Sequence, residues 1–96
     1  MQFKYNPEKD AQLISERGVG FEHIILAISE GKLLDIKLHH NPIKYPNQKI
    51  LYVLLLNEVF AVPFIFEEDG TIFLKTLFPS RKARKLLQKD KILEKT

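Results

Sequence analysis

The hydrophobic residues change their spacing once along the chain, and that change limits the possible folds more than any other feature. Up to Gly31 they recur at helical intervals, most clearly in the run Phe21, Ile24, Ile25 and Ile28. From Lys32 onward they alternate as in strands, which predicts strands over 33–38, 49–55, 59–66 and 71–77, after a short one at 3–5. The pattern predicts an α+β fold in which N-terminal helices pack on an antiparallel β-meander sheet.

Capping residues place the ends of the predicted helices. Asn6 is a favourable cap for a first helix, and Gly18 and Gly31 follow the ends of the first and second helices. Ser80 is the predicted cap of a third, basic C-terminal helix. Pro63 lies inside the third strand, where it cannot donate a ladder hydrogen bond, so we expect a bulge or an unpaired edge there.

The composition limits the class of protein. Ninety-six residues with 45% hydrophobic content predict a single domain over residues 1–96. The chain contains no cysteine, which excludes disulfides and thiolate metal sites and favours a reducing compartment, so we expect a cytoplasmic location. The longest apolar run, 50–56, is too short to cross a bilayer, and no cofactor motif is present, so we expect neither a membrane nor a cofactor.

Positive charge is concentrated near the C-terminus. Residues 81–96 hold seven of the fifteen Lys and Arg residues but only two of the twelve acidic ones. Four cations lie in the first turns of the predicted third helix, where the partial positive charge of the helix start disfavours them: Arg81, Lys82, Arg84 and Lys85. A sequence that breaks this rule at one place is suited to binding a phosphate there. The simpler alternative is a solvated basic face.

Three short segments resemble one protein family. Residues 3–9 (FKYNPEK) resemble the aromatic, Asp/Asn-Pro-x-Lys opening of BrnT-type toxins, and residues 17–22 (RGVGFE) resemble their His-Gly-Val-Ser-Phe-Glu signature. Residues 80–83 (SRKA) resemble the terminal Ala-Arg-Lys-Ala segment of that family. The segments occur in the family's order, and Arg17 stands where the family has His.

The resemblance implies a fold, an activity and a partner. The fold would be RelE-like, and the activity would be that of an endoribonuclease that inhibits translation and growth. The partner would be a cognate antitoxin with a ribbon-helix-helix DNA-binding domain, and operator DNA would be bound only through the complex with that antitoxin.

Metal-independent cleavage of RNA needs a base, a cation beside the phosphate and an acid. Arg81 is the predicted phosphate clamp, Lys75 is predicted to reach the same phosphate from the last strand, and His40, or its neighbour His39, is the candidate acid or base. The other predicted substrate contacts are Lys49, Tyr45, Ser80, Lys82 and Lys85, with Tyr45 stacking on a base or holding a phosphate. No metal site is expected, because adjacent histidines on an extended chain point to opposite faces.

Other interpretations remain open. The chain could be a non-catalytic nucleic-acid-binding module, such as a decayed toxin, or a toxin of the same fold that acts on DNA. Histidines 39 and 40 lie in a polar loop, where a surface position is the simpler interpretation. The aromatic residues of the later strands are predicted core residues: Phe60, Phe64, Phe66 and Phe73.

Overall fold

The computed structural model describes residues 1–87 and has the predicted α+β class. Its elements, in chain order, are β1 (Phe3–Tyr5), α1 (Pro7–Arg17), α2 (Phe21–Ser29), β2 (Leu33–Leu38), β3 (Lys49–Leu55), β4 (Glu58–Phe66), β5 (Ile72–Leu74), β6 (Phe78–Pro79) and α3, which is helical over 81–87. The longest of the fully described helices, α1, has 11 residues. Within residues 1–87 no helix has the length and apolar character needed to cross a membrane.

The strands form one mixed sheet in the order β1-β5-β4-β3-β2. Strands β2, β3, β4 and β5 are paired antiparallel in sequence order, so the predicted meander is confirmed. The sheet is not purely antiparallel, because β1 adds to β5 in parallel. Helices α1 and α2 connect β1 at one edge of the sheet to β2 at the other edge.

The predicted fourth strand, 71–77, is shorter than expected. Strand β5 ends at Leu74, and a separate short strand, β6, pairs with β4 at Phe78 and Pro79, beyond the predicted bounds. Pro63 faces the gap between β5 and β6, where its carbonyl accepts a hydrogen bond from the Lys75 N–H at 2.8 Å. Of the two outcomes expected at Pro63, the unpaired edge is confirmed, because the proline has no partner residue in either β5 or β6. The bulge is wrong, because the β3–β4 register runs without a shift and the irregularity lies between Leu33 and Asp35 in β2.

The helix caps follow the sequence except at the start of α2. Asn6 Oδ1 accepts from the Glu8 N–H at 2.8 Å, and Gly18 ends α1 with a φ of 73°, as predicted. At the start of α2, Gly20 carries no side chain to cap the helix, and Asp10 of α1 takes that role. Its Oδ1 accepts from the Phe21 N–H at 2.7 Å. The two helices are thus joined by a part-buried cap from a distant residue instead of a local one.

The core lies between the helices and one face of the sheet. It includes Phe21 and Ile24 of α2 together with the alternate residues of the central strands: Leu51, Val53, Phe60, Val62, Phe64, Ile72 and Leu74. Two of the four predicted core phenylalanines, Phe60 and Phe64, are confirmed. Phe66 ends β4 with 56% of its surface exposed, and Phe73 is half-buried on the opposite face, because its neighbours Ile72 and Leu74 point into the core.

Candidate functional site

A groove of about 390 Å³ lies on the sheet face opposite the core, between the sheet and α3. Its floor contains apolar side chains of the central strands and one tyrosine: Ile50, Tyr52, Ala61 and Phe78. One wall is formed by α3 through Lys82, Ala83, Leu86 and Leu87. The remaining rim residues are Asp35, Lys37, His40 and Ser80.

The sheet register aligns the floor of this groove. Asp35 of β2 pairs with Tyr52 of β3, Tyr52 pairs with Ala61 of β4, and Ala61 pairs with Phe78 of β6. These four residues therefore form one row across four strands, and their side chains share a face. The small side chain of Ala61 leaves space beside the Tyr52 ring. The floor of the groove is therefore deeper at Ala61, next to the phenol of Tyr52.

The cap of α3 fixes the helix beside the groove. Ser80 Oγ accepts a hydrogen bond from the Ala83 N–H at 3.2 Å, which confirms Ser80 as the cap, and the Ser80 N–H donates to the Val59 carbonyl of β4 at 2.8 Å. With the helix held in this orientation, Lys82 lines the groove. Arg81 and Lys85 are exposed and do not line it.

The cations of α3 are not equally placed relative to the groove. Lys82 lines it together with Ala83, Leu86 and Leu87, whereas Arg81 and Lys85 do not. Successive helical residues are rotated by about 100°, so neighbouring cations of one helix point in different directions. Arg81, the predicted clamp, directly follows Ser80, which lines the groove.

The charges around the groove are only partly compensated. Lys37 Nζ lies 3.8 Å from Asp35 Oδ2, and both side chains are substantially exposed. Such a pair is weak, so it leaves Lys37 available to an anion. Within residues 1–87 the other ion pair joins Lys4 to Glu67, so no described carboxylate pairs with Lys82. The groove therefore has a net positive rim.

The loop of residues 39–48 brings a histidine to the same rim. The His39 ring is stacked on the His40 ring with centroids 4.4 Å apart, and it also contacts the Tyr45 ring, with centroids 4.5 Å apart. His39 is buried at 8% exposure, and its Nδ1 accepts from the Asn41 N–H at 3.0 Å. The expected surface position is wrong for His39 and confirmed for His40, which is exposed. The expectation that the two rings point apart is wrong, because both residues lie past the end of β2.

Burial lowers the pKa of His39, and the neighbouring His40 charge lowers this pKa further. The unfolded chain binds a proton at His39 near the ordinary pKa of 6.5, while the folded chain resists protonation to a lower pH. The contribution to stability is therefore complete above pH 6.5 and is lost as the pH falls toward the folded pKa. Hydrogen bonds from Thr71 lower the pKa of Asp69, so this residue adds a similar loss of stability only when the pH falls below its ordinary pKa of 3.8.

We expect urea unfolding to show this dependence. Between about pH 7.5 and pH 5.5 the free energy of unfolding of the wild type should fall, and that of His39→Phe should fall less, because the variant has no proton to bind at this position. Each protein is compared with itself at the two pH values, so a different baseline stability of the variant does not matter. An equal fall in the free energy of unfolding of the wild type and of His39→Phe would contradict a role for His39 in the pH dependence of stability.

Besides Arg81 and Lys85, three further predicted site residues lie outside the groove. Lys49 points to the same face as Leu51 and Val53, opposite the groove, and its Nζ lies 5.6 Å from the centre of the Phe66 ring. Tyr45 is held against His39. Lys75 follows the end of β5 and lies over the Phe73 ring, with 5.2 Å from Nζ to the ring centre, and does not line the groove.

Three polar groove residues were not predicted from the sequence: Asp35, Lys37 and Tyr52. Asp35 and Lys37 are the polar residues of β2, and two-residue spacing places both on one face. Tyr52 occupies a position between Leu51 and Val53, which are both core residues. Strand alternation alone therefore carried a signal for all three, provided that the core face of each strand was assigned first.

Comparisons with known proteins do not assign the chain to a family. No protein-family model, no curated protein and no solved structure matches it. Among residues 1–87 no three histidine, aspartate or glutamate side chains are arranged to hold a metal ion. The chemistry of the groove residues is therefore the basis for a functional assignment.

Proposed function

We propose that this protein is the toxin of a type II toxin-antitoxin pair and an endoribonuclease that cleaves RNA without a metal ion. One observation carries the proposal: two lysines, a histidine and a tyrosine line the same groove, through Lys37, Lys82, His40 and Tyr52. These are the group types that phosphodiester cleavage by a neighbouring hydroxyl requires. The groove is on a rigid sheet, which suits a reaction that depends on positioning.

Each residue has a role in the proposed reaction. Lys37 and Lys82 hold the phosphate and stabilise the charge that develops on its oxygens, with Arg81 reaching the phosphate from the mouth. His40 takes the proton from the 2′-hydroxyl, whose oxygen then attacks phosphorus. The bond from phosphorus to the 5′-oxygen breaks, and Tyr52 supplies the proton to that leaving oxygen. The products are a 2′,3′-cyclic phosphate and a free 5′-hydroxyl.

The BrnT-like segments support a RelE-like assignment of this α+β fold. Residues 3–9 form β1 and the start of α1, residues 17–22 connect α1 to α2, and residues 80–83 form the start of α3 beside the groove. We therefore propose a cognate antitoxin with a ribbon-helix-helix domain, which binds operator DNA in the complex. The proposed location is the cytoplasm, where the RNA substrate is found.

A non-catalytic RNA-binding module is the second candidate. The observation that favours it is the apolar floor and wall, where Ile50, Phe78 and Leu86 surround few proton-transferring groups. Such a module would bind RNA with strong salt dependence and leave it intact.

Incubation of the purified protein with total RNA in the presence of EDTA tests the proposal. We expect fragments that end in a 2′,3′-cyclic phosphate, together with growth arrest when the protein is expressed in bacteria. Lys85→Ala is the matched control variant and should cleave RNA like the wild type, because it removes a cation of α3 that does not line the groove. Intact RNA that is nevertheless bound would select the binding module, and damage to DNA before RNA in cells would select a DNA-directed toxin.

A further inference from the structure

Three aromatic rings form a column that ends at the groove. Tyr45 contacts His39 with ring centroids 4.5 Å apart and planes 41° apart, and His39 stacks on His40 at 4.4 Å and 27°. The column leads from the interior of the loop to the rim, since His39 is buried and His40 is exposed. His40 is the member of the column that lines the groove.

The exposed part of His40 includes a ring face. His39 covers one face of the imidazole, so the surface that remains accessible consists of the other face and the ring edges. The backbone of the loop holds this arrangement: the His39 N–H donates to the Gln48 carbonyl at 3.1 Å, and the Tyr45 N–H donates to the Asn41 carbonyl at 3.0 Å. The two rings beneath His40 are therefore held in place before any ligand binds, and a preformed support of this kind reduces the entropy lost on binding.

We propose that His40 is a stacking platform for one unpaired nucleobase of the RNA, and that the column Tyr45, His39 and His40 continues through that base. Aromatic side chains bind single-stranded nucleic acids in this way, because every base offers a π-face. Lys37 lies on the same rim and can hold the phosphate of the same nucleotide. This inference rests on the proposed function, and it gives the substrate as single-stranded RNA.

The proposal assigns two separable properties to one side chain. The ring face contributes to affinity, whereas the nitrogen atoms contribute to proton transfer. Phenylalanine keeps the flat ring without a titratable nitrogen, and alanine removes both. His40→Phe should therefore retain binding and lose cleavage, and His40→Ala should lose both.

Binding is measured with a fluorescent 2′-O-methyl hexanucleotide, which lacks the nucleophilic hydroxyl and stays intact, and which carries one 2-aminopurine. We expect His40→Ala to weaken binding about tenfold, and His40→Phe to bind like the wild type and to quench the 2-aminopurine as strongly. An otherwise identical probe with an abasic position should bind the wild type and both variants equally. Ile43→Ala, an exposed substitution in the same loop, should bind like the wild type.

The outcomes separate this proposal from the proposed function. Equal binding by His40→Ala and the wild type, or equal loss in His40→Phe and His40→Ala, would overturn the stacking role even if natural RNA is cleaved. The expected binding pattern without cleavage of natural RNA would support stacking and overturn the catalytic assignment. Failure of the wild type to bind the probe at all would overturn both.

Discussion

Replacing Lys37 and Lys82 together with alanine is expected to lower the rate of RNA cleavage by about a hundredfold or more. Both ammonium groups line the groove, and of these two lysines only Lys37 forms an ion pair with a carboxylate of residues 1–87. Removing a single group that stabilises developing charge reduces the rate by roughly 100- to 1,000-fold in other enzymes. Initial rates on one labelled RNA, with excess substrate and EDTA, measure the effect.

The matched control for this prediction is Lys85→Ala, which removes the same charge from the same helix outside the groove. Its rate should stay close to that of the wild type. The double variant should also reduce the salt dependence of RNA binding, by about 0.7 in the logarithmic slope for each lost phosphate contact. If Lys85→Ala slowed cleavage as much as the double variant, net charge rather than the groove would govern the activity.

Substituting Gly20 by alanine is expected to destabilise the fold by about 2 to 4 kcal/mol. A Cβ at this position would lie 2.5 Å from Asp10 Oδ1 and 2.8 Å from Ile14 Cγ1. The estimate combines overpacking, at about 1 to 3 kcal/mol, with loss of the cap that Asp10 provides to Phe21, at about 1 kcal/mol. Because the whole domain is stabilised by about 5 to 14 kcal/mol, this is a large fraction.

A double-mutant cycle tests the reason for that effect. The backbone of Gly20 is extended with a φ of −119°, so a side chain is excluded by space and not by backbone strain. In an Asp10→Ala background, Gly20→Ser should cost less than in the wild type, because the nearest clashing atom is gone and the serine hydroxyl can cap α2. Asp10→Asn keeps an acceptor oxygen and is the matched control. Additive free energies from urea unfolding would contradict this account.

Local signals were sufficient for the helices and for the meander. Asn6, Gly18 and Ser80 act through hydrogen bonds or backbone angles within a few residues, so the sequence alone identifies them. The cap of α2 was not predictable in this way, since Asp10 lies eleven residues before Phe21. At Pro63 the expected bulge is absent and the alternative, an unpaired edge, is present, because the neighbouring strand is interrupted opposite the proline and no ladder bond is required there.

The site was harder to predict because it depends on which side of an element each residue faces. The sequence located the cations of α3, but only the packing of the helix shows that Lys82, and not Arg81 or Lys85, lines the groove. The sequence predicted Lys49 as a substrate contact without indicating the sheet face to which its side chain points. Lys49 lies two residues before the core residue Leu51, so its side chain is on the core face of β3, opposite the groove. Strand alternation could place Lys37 and Tyr52 on the groove face, but only the register of β2, β3 and β4 brings them together in one groove.

Strand β6 has a mechanical consequence for the groove. It joins β4 through two residue pairs, Phe78 with Ala61 and Pro79 with Phe60, whereas β3 joins β4 through seven. The helical wall is thus joined to the sheet through two residue pairs, while most of the floor belongs to β3 and β4. A shift of α3 at this short connection would change the width of the cleft and leave the seven β3–β4 pairs intact.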